Sequence, residues 1–145
     1  ILSRIELCMS KKYWLLKEEP NKYSYDDLVK DKKTIWDGVW NNLALKNIRN
    51  ISKGDQAFFY HTGKEKSIIG IVEVTKNSYS DPKKEDIRFV VFDVKPLKKL
   101  KRAVSLKEIK SKSIFKEFDL VRIPRLSVIP VTKKYWDSII KLSNN

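Results

Sequence analysis

DQAFFYHTGKEKSIIGIVEVTK, residues 55–76, contains two runs rich in aromatic and β-branched side chains, joined by the short polar link GKEKS. Such side chains favour extended backbone, and a link of that length closes a hairpin. Alternation along the first run puts Phe59 and His61 on one sheet face and Phe58 and Tyr60 on the other. One pair belongs to the core and the other is free to face a cavity. Gly70 interrupts the second run, where a strand glycine marks a bulge or the floor of a pocket.

On either side of this hairpin the chain alternates between strands and capped helices. DIRFVVFDVKPL (86–97) reads as a third strand, KYWLLK (12–17) as another closed by EEPN, and RLSVIPV (125–131) as a short one whose Pro130 suggests an edge. Ser24 and Asp27 form a capping-box pattern over SYDDLVKD, and Ser105 and Glu108 form a second over SLKEIKS. Asn41 is placed to cap a helix reaching about Asn50, with Ala44, Ile48 and Ile51 on one face and Asn42, Lys46 and Arg49 on another. Thr132 caps a last helix whose stripe is Tyr135, Trp136, Ile139, Ile140 and Leu142. The fold class is α+β: a curled mixed sheet of about five to six strands, approaching a barrel and flanked by short helices.

A chain of 145 residues suits one domain with a real core. Residues 12–142 are expected to form it, with 1–11 an N-terminal extension carrying the lone Cys8 and the only methionine, Met9. A single cysteine permits no internal disulfide and points to a reducing compartment. The longest apolar runs, IIGIV (68–72) and FVVF (89–92), are too short to span a bilayer, and ILSRIELCMS does not resemble a signal peptide. The expected location is cytoplasmic: within reach of the nucleoid in a prokaryote, nuclear in a eukaryote.

Thirty-one Lys and Arg against eighteen Asp and Glu give a net charge of +13. A polyanion is the natural partner of such a surface, and nucleic acid is the commonest. The excess concentrates in KPLKKLKR (95–102), with no acid between Asp93 and Glu108, so Lys98, Lys99, Lys101 and Arg102 are the candidate phosphate contacts. Catalytic signals are sparse. One His and one Cys cannot build a zinc site of the usual ligand count. Gly-rich phosphate loops, the G-x-S-x-G elbow and the zinc-deaminase pattern are all missing. No metal or cofactor is expected, and a binding module is favoured over an enzyme. The competing enzymatic set is His61 or Lys17 as acid or base, assisted by Asp37.

WDGVWNN (36–42) brackets an Asp-Gly turn with two indoles and ends on two side-chain amides. The turn argues against a helix through both tryptophans and leads into the helix that Asn41 starts. Exposed N–H groups at a helix start suit an anionic or hydrogen-bonding ligand. An indole offers a stacking surface, worth about 1–3 kcal/mol per base, and Asn41 and Asn42 carry the donors and acceptors that read a base edge.

YWLLKEEP (13–20), WDGVWN (36–41), FFYHTG (58–63), IIGIVEV (68–74), FDV (92–94) and RLSVIPV (125–131), in this order, resemble an EVE domain of the thymocyte nuclear protein 1-like family. The resemblance covers about residues 12–142. It implies a PUA-like fold, related to YTH and ASCH domains, and recognition of a nucleic acid, RNA or DNA, carrying a methylated or otherwise modified base. It also implies a base pocket of Lys17, Trp36, Gly38, Val39, Asn41, Tyr60, His61, Arg125 and Ser127, to which Trp40, Asn42, Thr62 and Leu126 are added as neighbours in the motifs. The family commonly reads W-D-G-V-R-N-Y-Q-A-R-N. Here Trp40 and Leu45 stand at its two arginines, Asn42 at its tyrosine and Leu43 at its glutamine, and K-S-E-P is Lys17-Glu18-Glu19-Pro20. The resulting expectation is a monomeric, non-enzymatic reader in which Trp36 and Trp40 clasp a flipped-out base and Lys17 and Arg125 join the basic stripe on the phosphates. The alternative is an ASCH-like nuclease or a base hydrolase.

Overall fold

Asp55 gathers three donors at the root of the sheet: Trp14 Nε1–H at 2.9 Å, the Ser52 N–H at 3.0 Å and the Lys12 N–H at 3.1 Å. Its side chain is nearly sealed from solvent, at 2% exposure. Around this clasp the computed structural model describes residues 11–145, so Cys8, Met9 and the rest of the expected extension up to residue 10 lie outside the described residues.

The strands are β1 (Tyr13–Glu18), β2 (Thr34–Trp36), β3 (Gln56–His61), β4 (Ser67–Ser80), β5 (Val90–Ser105) and β6 (Val128–Val131). They form one mixed sheet in the order β2-β5-β4-β3-β1-β6. Among the described residues only β1 and β3 run parallel, in the register Lys17 with Tyr60 and Glu18 with His61. The sheet is open: β2 and β6 end it, and Pro130 sits on the edge strand β6, as its missing N–H requires. The hairpin of β3 and β4 forms as the sequence predicts. β5 differs from expectation at both ends, starting at Val90 and continuing through the basic stripe to Ser105. The register against β4 slips between Ile68 and Gly70, opposite Val104 and Lys99, so residues 100–103 bulge from the ladder.

Among the described residues the helices are α1 (Tyr25–Asp31), α2 (Asn42–Arg49), α3 (Leu106–Lys110), α4 (Asp119–Arg122) and α5 (Lys133–Ser143), with one 3₁₀ turn at Ser113–Phe115. Ser24 and Asp27 close a reciprocal capping box on α1. Asn41 Oδ1 accepts from the Ala44 N–H at 3.0 Å, and Thr132 caps α5. At α3 only half of the expected box exists. Ser105 Oγ accepts from the Glu108 N–H, but the Glu108 carboxylate is taken by Arg102 through two bonds of 3.0 Å. On α2, Ala44, Leu45 and Ile48 are buried and Asn42, Lys46 and Arg49 are exposed, the split its periodicity predicts.

Tyr25, at the first turn of α1, explains Gly70. A Cβ at Gly70 would lie 2.6 Å from two carbons of the Tyr25 ring. The ring cannot retreat, because its hydroxyl donates to the Ile71 carbonyl at 2.8 Å while the Tyr25 backbone N–H donates to His61 Nε2 at 3.0 Å. Gly70 is thus a floor for a side chain of the protein itself. Gly70→Ala is expected to lower stability by about 1–3 kcal/mol, the usual cost of overpacking, read as a lower urea midpoint at unchanged slope. An unchanged midpoint would mean that α1 is not fastened to the sheet in this way.

Candidate functional site

Beyond the ends of the parallel pair, β1 and β3, the structure opens a cavity of about 520 Å³. That is within the span of small-molecule sites, about 300–1,000 Å³. Lys17, Glu18 and Glu19 come from the end of β1, and Tyr60, Thr62 and Gly63 from the end of β3. Lys66 is supplied by the hairpin link, Leu106 and Lys110 by α3, and Leu120, Pro124, Arg125 and Ser127 by the segment from α4 to β6. The wall holds together through main-chain bonds: Lys17 N–H to Ser127 O at 2.9 Å, Thr62 N–H to Glu18 O at 3.0 Å and Leu106 N–H to Lys66 O at 2.8 Å.

Lys17 is the inner cation. Its Nζ donates to the Pro124 carbonyl at 2.8 Å and stands 5.7 Å from the Tyr60 ring centroid. Burial holds its pKa below the ordinary lysine value. Tyr60 is buried, and burial alone pushes its hydroxyl up to about 12. Four cations, Lys17, Lys66, Lys110 and Arg125, line the cavity against Glu18 and Glu19. A second hollow of about 420 Å³ shares Lys66, Leu106 and Lys110 and adds Lys64 and Lys107. Together they form a basic groove with an apolar inner wall, suited to a flat ligand that trails anionic groups.

The structure brings together Lys17, Tyr60, Thr62, Arg125 and Ser127 from the sequence reading. The other expected members lie elsewhere. Trp36 is 5% exposed, edge-on to Phe59 at 5.4 Å and stacked on Phe92 at 6.4 Å, so it belongs to the core. Gly38, at φ 73°, then turns the chain, and Trp40 emerges on the surface at 64% exposure. The two indoles therefore do not clasp a ligand between them. Asn41 spends its side-chain oxygen on its helix cap, Asn42 lies on the exposed face of α2, Val39 packs half-buried against the core, and Leu126 is core.

The enzymatic set does not converge either. His61 is 6% exposed with both ring nitrogens engaged. Nε2 accepts from the Tyr25 N–H, which leaves the proton on Nδ1, donated to Glu65 Oε2 at 3.1 Å. Asp37 is exposed and lines a smaller hollow of about 250 Å³ with Glu18, Tyr23 and Trp36, whose lining does not include Lys17 or His61. Among the described residues no cluster of His, Cys, Asp or Glu could hold a metal ion, and no helix is long and apolar enough to cross a membrane.

The basic stripe is also partly committed. Arg102 is clamped by Glu108 and donates to the Leu142 carbonyl at 2.7 Å, and Lys99 pairs with Asp26 at 3.2 Å. None of Lys98, Lys99, Lys101 and Arg102 lines the cavity. Its outer cations are Lys66 and Lys110, which the sequence reading missed. Their one signal is position, in the hairpin link and on the capped helix, next to segments already singled out.

With this geometry, the comparisons with known proteins are decisive about ancestry. The EVE domain model matches residues 12–142. The chain belongs to the EVE domain family. Thymocyte nuclear protein 1 of Gallus gallus is 32% identical over 174 residues, covering 97% of this chain and 70% of the relative. The human THYN1 protein, solved in complex with 5-methylcytosine containing DNA, superposes with a TM-score of 0.84 at 28% identity, over 93% of this chain and 99% of that one. ASCH from Zymomonas mobilis shares the fold alone, with a TM-score of 0.58 at 12% identity over 90% of this chain and 95% of that one.

The Tyr60 hydroxyl gives the EVE cavity a pH signature. Unfolded, tyrosine ionises near pH 10; folded, Tyr60 keeps its proton to about 12. Between those values the folded state binds the extra proton, so stability falls as pH rises. Tyr60→Phe is expected to flatten that decline by up to about 1.4 kcal/mol per pH unit in urea titrations, and to leave stability below pH 9 on the same slope as wild type. Equal alkaline slopes would place the hydroxyl in water.

Proposed function

We propose that this chain is a nucleic-acid reader that takes a modified base, extruded from its strand, into the cavity between β1, β3 and the α4–β6 segment. The observation that carries the reading is the cavity itself: an apolar and aromatic wall enclosed by Lys17, Lys66, Lys110 and Arg125. Tyr60, Leu106, Leu120 and Pro124 offer the flat, water-excluding surface a heterocycle needs. The Ser127 and Thr62 hydroxyls, each able to donate and accept, are the groups for its edge. Lys66, Lys110 and Arg125 stand at the rim for the flanking phosphates. Base extrusion costs a few kcal/mol, which the pocket and the cations must return.

Methylated cytosine in DNA is the first ligand class to examine, because a relative of nearly the same fold was solved with such DNA. RNA carrying a modified base is the second. The lining residues named here all come from one chain, which supports a reader acting as a monomer. A protein acting in this way works where the polymer is, in the nucleoid-bearing cytoplasm of a prokaryote or the nucleus of a eukaryote.

Phosphate contacts position and base contacts specify, so the two sets of residues separate experimentally. Wild type is expected to bind an oligonucleotide with one 5-methylcytosine more tightly than its unmodified counterpart, with Ser127→Ala and Thr62→Val shrinking that ratio. Replacing Lys66, Lys110 and Arg125 by Ala should weaken both probes equally and lower the log–log salt slope by about 0.7–0.9 per lost contact. A wild-type ratio of one for modified over unmodified base, in both DNA and RNA, would contradict the proposal.

A further inference from the structure

Of the four tryptophans, Trp14, Trp36 and Trp136 are 4%, 5% and 6% exposed, and Trp40 is 64% exposed. An indole is the largest apolar side chain, and leaving one in water forgoes burial that the other three obtain. Trp40 is not loose, however. It sits edge-on to Phe89, with ring centroids 4.8 Å apart. The Lys84 ammonium lies 4.7 Å from the Trp40 centroid and 5.4 Å from that of Phe89, and the Arg88 guanidinium lies 4.7 Å from the Phe89 ring.

The support beneath this patch is built. Phe89 is 7% exposed, and its carbonyl accepts from the Asp81 N–H at 2.9 Å. Asp81, itself buried, accepts from the Lys83 N–H through its side chain at 2.9 Å and from the Lys84 N–H through its carbonyl at 3.1 Å. Arg49 of α2 ties the loop to the domain by donating to the Arg88 carbonyl at 2.9 Å. Arg88 also pairs with Asp86 at 3.7 Å, an exposed contact that a phosphate could replace. Ile87, at the tip, is 82% exposed. A fixed, largely exposed indole with the Lys84 ammonium over its ring, the Arg88 guanidinium over the neighbouring Phe89 and a protruding aliphatic side chain together match what an unstacked nucleotide requires: a surface for its π-face and positive charge for its phosphate.

Trp40 lines none of the hollows described above, so this surface is separate from the cavity. We propose that Trp40, seated on Phe89 and flanked by Lys84 and Arg88, is a stacking platform for an unpaired base of the bound nucleic acid, other than the base the cavity holds. The inference rests on the nucleic-acid reading and adds a preference within it. Polymers with single-stranded flanks bind better than blunt duplexes.

Two probes test it with the full chain: a blunt duplex carrying one 5-methylcytosine, and the same duplex with single-stranded flanks, each with its unmodified counterpart. Trp40→Ala is expected to weaken the flanked probe about 5- to 150-fold, the range spanned by base–aromatic stacking, and the blunt probe far less. Trp40→Phe should retain most of the affinity, and the ratio of modified to unmodified binding should stay at the wild-type value in both variants. Acrylamide should quench a fluorescence component that Trp40→Phe lacks, and saturating flanked probe should shield it. Unchanged affinity of Trp40→Ala for the flanked probe, or unshielded Trp40 fluorescence, overturns the platform. Loss of the modified-base ratio in Trp40→Ala overturns it too, by returning the indole to the base pocket. A wild type that binds the flanked probe, with Trp40 shielded, but without preferring the modified base sinks the cavity reading and leaves the platform standing; binding to neither probe sinks both.

Discussion

The parallel pairing of β1 with β3 is the constraint from which the site follows. Both strands end at the same level, so Lys17 lies beside Tyr60 and Glu18 beside His61, and the chain must leave the sheet in two directions there. The cavity is the space between those departures. Parallel strands have no tight turn to fix their register. Here Asp55 does so, binding the Lys12 N–H and the Trp14 indole at the start of β1 while standing immediately before β3. A slip of one residue would put Lys17 and Tyr60 on opposite faces of the sheet and dismantle the pocket.

Much of this was readable in the sequence because it is local. Ser24, Asn41 and Thr132 cap helices where their spacing to the following residues predicts, and the run 55–76 folds as the hairpin its composition dictates. Lys17, Tyr60, Thr62, Arg125 and Ser127 stand at strand ends, which motif order could locate. The pair Trp36 and Trp40 was not readable in this way. Their separation depends on the left-handed turn at Gly38, which sends one indole into the core beside Phe92 and the other out onto Phe89. Sequence proximity suggested a shared pocket; backbone geometry divides them.

Charge was the other partial guide. The count of +13 points to a polyanion, and the densest run is the natural place to expect it. In the folded chain that run is part of β5 and leaves the ladder only at its end, and its Arg102 acts as a strut between α3 and the end of α5. The cations beside the cavity come instead from elements far apart in sequence, Lys66 from a hairpin link and Lys110 from a short helix. A charge run reports where lysines are adjacent along the chain. A binding groove needs them adjacent in space, which only the topology can arrange. The same holds for the enzymatic set: Lys17 lines the cavity, Asp37 lines a different hollow and His61 is held between the Tyr25 N–H and Glu65.

The central claim is that the hollow at the end of the parallel pair is where a modified base lodges. The most direct measurement is a titration of the isotopically labelled chain with DNA containing one 5-methylcytosine, followed by amide chemical shifts. The account predicts the largest changes at Lys17, Tyr60, Thr62, Gly63 and Ser127, reduced when plain cytosine replaces the modified base. Changes confined to the β5 stripe at Lys98–Arg102, or equal for the two bases, would contradict it.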